Sequence, residues 1–250
     1  MVHSSRTLGY SFACLCLLGL WELASTNGWV DRRLLPPASE VFEALLGFFS
    51  NPTFWANVRI TLAETLVAFL IAVPIGALLG ILVSENRLAS IVFKPMVFFV
   101  FSIPKSVFLP IFILVFGIAF WEKVAFGIFS TVFIVMIAAF SAVESVRPEH
   151  LMVARALRMR TMRRVLHIYL PSMTPVLLEA VRLAMIFNFT GILLAEMYAS
   201  RSGIGNVVGV WGQGFKITEL LAMIIFVSVL AIIFNELVRH FEVKCEHWRG

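Results

Sequence analysis

The chain has 250 residues, 60% of them hydrophobic and only 14% charged, with a formal net charge of +5. One core of this size cannot hide that much apolar surface, so an ordinary soluble fold is excluded. The basic residues sit in short segments between apolar runs rather than in a stripe on a polar surface, which argues against a nucleic-acid partner and for retention beside a membrane.

A helix needs about 20 predominantly apolar residues to cross the hydrocarbon core. The first such run extends from Leu8 to about Ala24. It resembles a signal peptide in outline, but Trp21, Glu22 and the lack of a clean small-x-small site favour a retained helix. A polar linker follows with Asp31, Arg32, Arg33 and the breaker pair Pro36-Pro37. Ser39 is then expected to cap a short helix ending near Phe49, with Glu40 and Glu43 in its first turn. Val41, Leu45, Phe48 and Phe49 share one face, so this helix is expected to lie along the membrane surface.

The second span is predicted from Arg59 to about Val83, with Pro74 as a kink. Residues 91–119 form a third apolar stretch that Pro95, Pro104 and Pro110 should prevent from being one straight rod. Trp121, Glu122 and Lys123 mark an interface. The fourth span is expected over Val124–Ala142, the fifth over Val176–Ala195 and the sixth over Ile217–Val238. The fold class is therefore all-α: a polytopic membrane protein of about six transmembrane helices. Residues 1–52 would hold the first span and the amphipathic segment, 53–240 the main transmembrane domain, and 241–250 a cytoplasmic tail.

Residues 143–175, between spans four and five, are the most basic stretch, with Arg147, Arg155, Arg158, Arg160, Arg163 and Arg164. Placing this loop in the cytoplasm puts both termini there too. Cytoplasmic segments then hold twelve Lys or Arg and outer segments six, which is the expected bias for a plasma (inner) membrane protein.

The sequence has no Gly-x-x-x-x-Gly-Lys-Ser/Thr phosphate loop, no nucleophile elbow and no His-Glu-x-x-His helix. Cys14, Cys16 and Cys245 make neither a disulfide framework nor a metal site. The reading is of a protein that is not an enzyme and binds no metal. Ionisable or amide groups inside spans are few: Glu64, Lys105, Glu179, Asn188 and Glu196. Asn188 and Glu196 are eight residues apart and share a helical face, which suits either a solute pathway or a structural polar contact. Lys105 lies between two helix-breaking prolines. With Ser102 and Pro104 it would line the path, or it would snorkel to an interface.

The basic loop reads Leu151-Met-Val-Ala-Arg-Ala-Leu-Arg-Met-Arg160, then Thr-Met-Arg-Arg-Val-Leu-His-Ile-Tyr-Leu-Pro171. It resembles the cytoplasmic EAA signature of binding-protein-dependent ABC importer permeases, in which Glu-Ala-Ala and a later Gly precede Ile-x-Leu-Pro. Ala154, Ile168, Leu170 and Pro171 match that pattern. Met152 replaces its Glu, Val153 its first Ala and Arg158 its Gly. Ser102-Ile-Pro-Lys-Ser-Val-Phe-Leu-Pro110, Ala195-Glu196-Met197 with Ser202-Gly203-Ile204-Gly205, and Leu35-Pro36-Pro37 are similar to segments of the nitrate, sulfonate and taurine subfamily.

The resemblance implies a type I importer permease: the membrane pathway for a small solute delivered by a periplasmic or lipid-anchored solute-binding protein. It implies cytoplasmic ABC ATPase subunits, which would bind and hydrolyse ATP as separate chains, and a second permease, identical or different. Val153, Ala154, Ala156, Leu157, Arg158, Met159, Arg160, Leu170 and Pro171 would form the ATPase-coupling segment. Ala154, Ala156 and Leu157 permit close approach to a partner, and the arginines can pair with its carboxylates. Arg158 in the Gly position means either a left-handed turn held by an unfavourable residue or a different turn. An ion-coupled secondary transporter is the alternative; it would be expected to show inverted repeats and paired midplane residues, which the sequence lacks.

Overall fold

The computed structural model describes residues 2–146, 148–159 and 161–246. The described chain is helical, with no strand among the described residues. The helices are α1 (Val2–Thr26), α2 (Ala38–Phe49), α3 (Pro52–Glu85), α4 (Arg87–Ser102), α5 (Leu109–Phe116), α6 (Phe120–Glu144), α7 (Pro148–Ala156), α8 (Thr161–Arg164), α9 (Leu170–Tyr198), α10 (Ile204–Gln213) and α11 (Ile217–Glu246).

Four helices, α3, α6, α9 and α11, are long and apolar enough to cross a membrane, and the pair α4–α5 counts as a fifth if it is one broken span. Within α1 the described apolar helix is shorter, Leu15–Thr26. Among the described residues, length and composition thus mark four or five of the expected six spans. The third span breaks as its prolines foretold, with a bend of 91° between Arg87–Ser102 and Lys105–Phe116. Of its prolines, Pro95 stays inside α4 and Pro110 starts α5; the break falls at Ile103-Pro104, where both residues leave helical geometry. Pro74 is accommodated within one helix of 34 residues.

The centre of the bundle is α6, half of whose apolar window is buried within the chain against 17% for α11. It packs closely on α3 because α3 presents a stripe of small residues, Ala68, Ala72, Gly76 and Gly80, all buried. A β-carbon on Gly80 would lie 2.6 Å from that of Ala139, and one on Gly76 2.8 Å from that of Val135. Any larger residue would push the two helices apart. In lipid, where apolar side chains gain little by meeting each other, such close backbone approach is a main source of helix association.

α2 forms where the sequence placed it, but Ser39 is not its cap. The capping position falls on Pro37, whose side chain has nothing to offer. Instead Glu22, from the end of α1, accepts from the Ser39 backbone N–H at 3.1 Å and from its hydroxyl at 2.8 Å. A carboxylate there also complements the positive end of the α2 dipole. The apolar face of α2 packs on protein: Val41 and Phe48 are buried with Phe54, Ile204 and Met223. Phe48 stacks on Phe54 and Trp211, both with centroids at 5.3 Å. Phe49, counted on the same face, remains exposed.

Candidate functional site

Three groups of residues carry the chemistry that the sequence singled out. The first is the segment joining α6 to α9. Leu157 N–H donates to Val153 C=O and Met159 N–H to Ala154 C=O, both at 3.0 Å. Between them Arg158 adopts a positive φ of 48°. This six-to-one closure is the left-handed helix ending usually made by glycine. The turn is therefore kept although Gly is absent, at a backbone cost of roughly 1–2 kcal/mol for a residue with a β-carbon.

The turn sorts the residues expected to couple into two sides. Met152, Val153 and Leu157 are 61%, 59% and 69% exposed, and Ala156 and Arg158 are exposed with them. Ala154, expected to permit close approach of a partner, is fully buried within its own chain. Met159 is half-buried. Arg160 lies outside the described residues, and Leu170 and Pro171 open α9.

Beyond the turn the segment is tied down. Val165 and Tyr169 are buried with Ile81 of α3, Ala139 of α6, and Met173 and Leu177 of α9. Arg164 Nη2 reaches Glu85 Oε1, the last residue of α3, at 2.6 Å. Lys94 of α4 pairs likewise with Glu144 at the end of α6, at 2.7 Å. The segment that follows α7 is thereby joined to α3, α6 and α9.

The second group surrounds the break in the third span. In a continuous helix the Phe101 carbonyl would accept from the backbone N–H of residue 105. Here the side chain of that residue replaces it: Lys105 Nζ donates to Phe101 O at 2.9 Å. The ammonium also lies 3.9 Å from the Phe101 ring centroid, in cation–π contact. Ser102 and Pro104 are exposed and Lys105 half-buried. Ser102 turns its hydroxyl back onto the Phe98 carbonyl at 2.8 Å.

The third group is built around Glu196. It shares a face with Asn188, as their spacing requires, and both are fully buried. Neither borders open space in this chain. Asn188 Nδ2 donates to the Thr65 carbonyl at 2.7 Å. Glu196 Oε1 accepts from the Thr61 hydroxyl at 2.7 Å, and its Oε2 accepts from the Gly205 N–H at 2.7 Å. Thr61 in turn receives the Ile204 N–H at 2.8 Å, and Asn57 Oδ1 the Gly203 N–H at 2.7 Å. The start of α10 is thus clamped to α3 and α9 through its own unpaired N–H groups. Gly203 has φ +99°, and the Glu196 carboxylate occupies the space that a β-carbon there would need. That is the physical content of the Ser202-Gly203-Ile204-Gly205 motif.

Sequence reasoning missed Asn57, Thr61 and α10 itself, and it took Glu122 and Lys123 for interface residues. Both are buried, with Lys123 Nζ at 3.6 Å from Glu122 Oε2 and 3.1 Å from Ala119 O. A signal was present: Thr61, Glu64 and Thr65 continue the small-residue stripe of α3 at helical spacing and are buried with it.

The model of the protein family described as "binding-protein-dependent transport system inner membrane component" matches residues 72–246. The chain is 24% identical to the taurine transport system permease protein of Escherichia coli (strain K12), with 98% of this chain and 92% of that protein covered. It is also 24% identical to the nitrate import permease protein of Leptolyngbya laminosa, covering 93% and 85%. Among solved structures it superposes on a chain of a bacterial ABC transporter involved in import of the acidic polysaccharide alginate. The TM-score is 0.70 over 98% of this chain and 94% of that one, at 14% identity, a likeness of fold alone.

Proposed function

We propose that this chain, which belongs to the family of binding-protein-dependent transport system inner membrane components, receives the stroke of its ATPase on the exposed apolar face of α7. The chain is the permease subunit of an ATP-driven importer, of the type that includes the nitrate, sulfonate and taurine permeases. Importers of this kind work with ATPase subunits and a solute-binding protein. The observation that carries the docking assignment is the cluster Met152, Val153 and Leu157, all more than half exposed on a segment rich in arginine.

Apolar side chains displayed together outside the spans gain when a partner covers them, at about 25 cal/mol per Å2 removed from water. Arg158 and Arg163, both exposed, can pair at the rim with carboxylates of that partner. The connection from Arg164 to Glu85 and the buried Val165 and Tyr169 support transmission to α3, α6 and α9. ATP is bound and hydrolysed by the separate subunit. A second permease, identical or different, completes the pathway, with Ser102, Pro104 and Lys105 at its bent span. Asn188 and Glu196 support the pathway from behind as buried polar ties. The solute is a small molecule of the class named by the relatives, and both termini face the cytoplasm.

The test is Leu157→Asp in the transporter reconstituted with its ATPase and binding protein. An uncompensated charge on the docking face costs several kcal/mol to desolvate, so substrate-stimulated ATP hydrolysis should disappear while insertion and melting stay normal. Wild-type stimulation in this variant would move the docking surface elsewhere.

A further inference from the structure

The groove between α9 and α11 holds a cavity of about 190 Å3. Of the four long spans α11 is the least buried, with 17% of its apolar window covered, so the rest of this chain leaves a groove beside it open. The lining changes character along its length. Arg182 and Asn235 stand at one end, and Ile186, Phe189, Val227 and Ala231 line the remainder. The Phe189 ring meets that of Phe234 edge to face at 5.6 Å. Ser228 also borders the cavity but turns its hydroxyl back onto the Ile224 carbonyl at 2.8 Å, so the body of the groove stays apolar.

Of the residues lining the cavity, Arg182 alone is charged. It is half-buried and makes no ion pair among the described residues. The nearby carboxylates stand elsewhere: Glu179 is exposed and does not line the cavity, and Glu236 pairs with Arg239 at 3.4 Å. Arg182 lies inside the apolar stretch of α9 that begins at Val176, about 9 Å along the axis from it. A guanidinium at that depth is costly unless it meets an anion or reaches the interface. Side chains lean toward the N-terminus of their helix, which for α9 is the end that follows the arginine-rich segment. Asn235, the last lining residue of α11, offers amide N–H donors at the same end.

We infer that this groove holds one anionic phospholipid, with its phosphate on Arg182 and Asn235 and an acyl chain along Ile186, Phe189 and Ala231. The groove presents its groups in the order of a lipid, a partner for an anion first and apolar wall after it. On α9 the lining runs from Arg182 to Leu193, about 16 Å, against about 15 Å for half the hydrocarbon core. A helix of another protein, about 10–12 Å across with its side chains, is too wide to enter so small a space. Basic pockets between spans on the cytoplasmic side suit anionic headgroups. A lipid here would neutralise Arg182 and splint α9 to α11, the span that α9 leaves most open. The choice of leaflet rests on the orientation proposed above; the binding chemistry does not.

The experiment places the permease–ATPase complex in phosphatidylcholine nanodiscs with a small fraction of phosphatidylglycerol carrying a diazirine in one acyl chain. After irradiation, adducts should concentrate in residues 182–193 and 227–235, at least fivefold above those from photoreactive phosphatidylcholine at the same fraction. Arg182→Gln should cut that yield at least fivefold, whereas Arg182→Lys should keep most of it. Ala231→Trp fills the apolar part and should lower the yield with the charge intact, which keeps the test valid should Arg182→Gln fail to fold. Adducts not enriched in the groove, equal labelling by the phosphatidylcholine probe, or an unaltered yield in Arg182→Gln would each overturn the site. Loss of label to millimolar glycerol 3-phosphate would overturn it in favour of a soluble phosphate. A disulfide joining two permeases through Ile186→Cys would overturn it in favour of a second copy over the groove. Solute import with binding protein present is read separately, and its persistence in any of these cases leaves the importer function standing.

Discussion

The hydroxyl of Thr61 and the carboxylate of Glu196, 135 residues apart in sequence, meet at 2.7 Å in a fully buried contact. One carboxylate oxygen holds α3 through Thr61, and the other holds the first turn of α10 through the Gly205 N–H. Glu196→Ala leaves that N–H without an acceptor, leaves the Thr61 hydroxyl only the Asn57 carbonyl at 3.2 Å, and opens a void. The expected loss is about 2–4 kcal/mol, read as a lower melting temperature in detergent and faster proteolysis between residues 199 and 205. Glu196→Gln keeps an acceptor for Gly205 and should lose about half as much. A wild-type melt for Glu196→Ala would show that the clamp contributes nothing.

Arg158 carries the left-handed turn with a side chain that disfavours it. Arg158→Gly should therefore stabilise the end of α7 by about 1 kcal/mol. Hydrogen exchange at Leu157 and Met159, whose N–H groups close the turn, should slow in that variant. If exchange speeds up instead, the arginine side chain contributes more than its backbone strain.

Lys105 substitutes its ammonium for its own backbone N–H, which the bend removes from Phe101. Lys105→Met loses that bond, and transport should fall roughly tenfold, the factor for about 1.4 kcal/mol. Membrane expression should fall much less. Equal losses of transport and expression would reduce Lys105 to an anchor of the fold.

Arg201 and Arg163 are both exposed, at opposite ends of α9. In a background without native cysteines, Arg201→Cys should be labelled by an impermeant thiol reagent only from outside, and Arg163→Cys only from the cytoplasm. Labelling of position 163 from outside would reverse the orientation drawn from the basic loop.

The sequence by itself determined the solvent, the helical class and the place of the basic segment between α6 and α9. These follow from local quantities: the length of apolar runs, the positions of prolines and the clustering of arginine, which need no knowledge of neighbours. The sequence left the turn at Arg158 open between a left-handed one and a different one, and the structure shows the left-handed one. Tertiary structure alone decided which residues of that segment are buried and which exposed. Ala154 and Val153 are adjacent in sequence, yet one is fully buried and the other 59% exposed. It also decided that Asn188 and Glu196 turn inward to α3 rather than to open space, since periodicity aligns residues on a face without saying what lies opposite. α10 escaped for a related reason. Its sequence, Ile204–Gln213, contains three glycines and is shorter than a span, and its first turn is held by Glu196, Thr61 and Asn57 from distant helices.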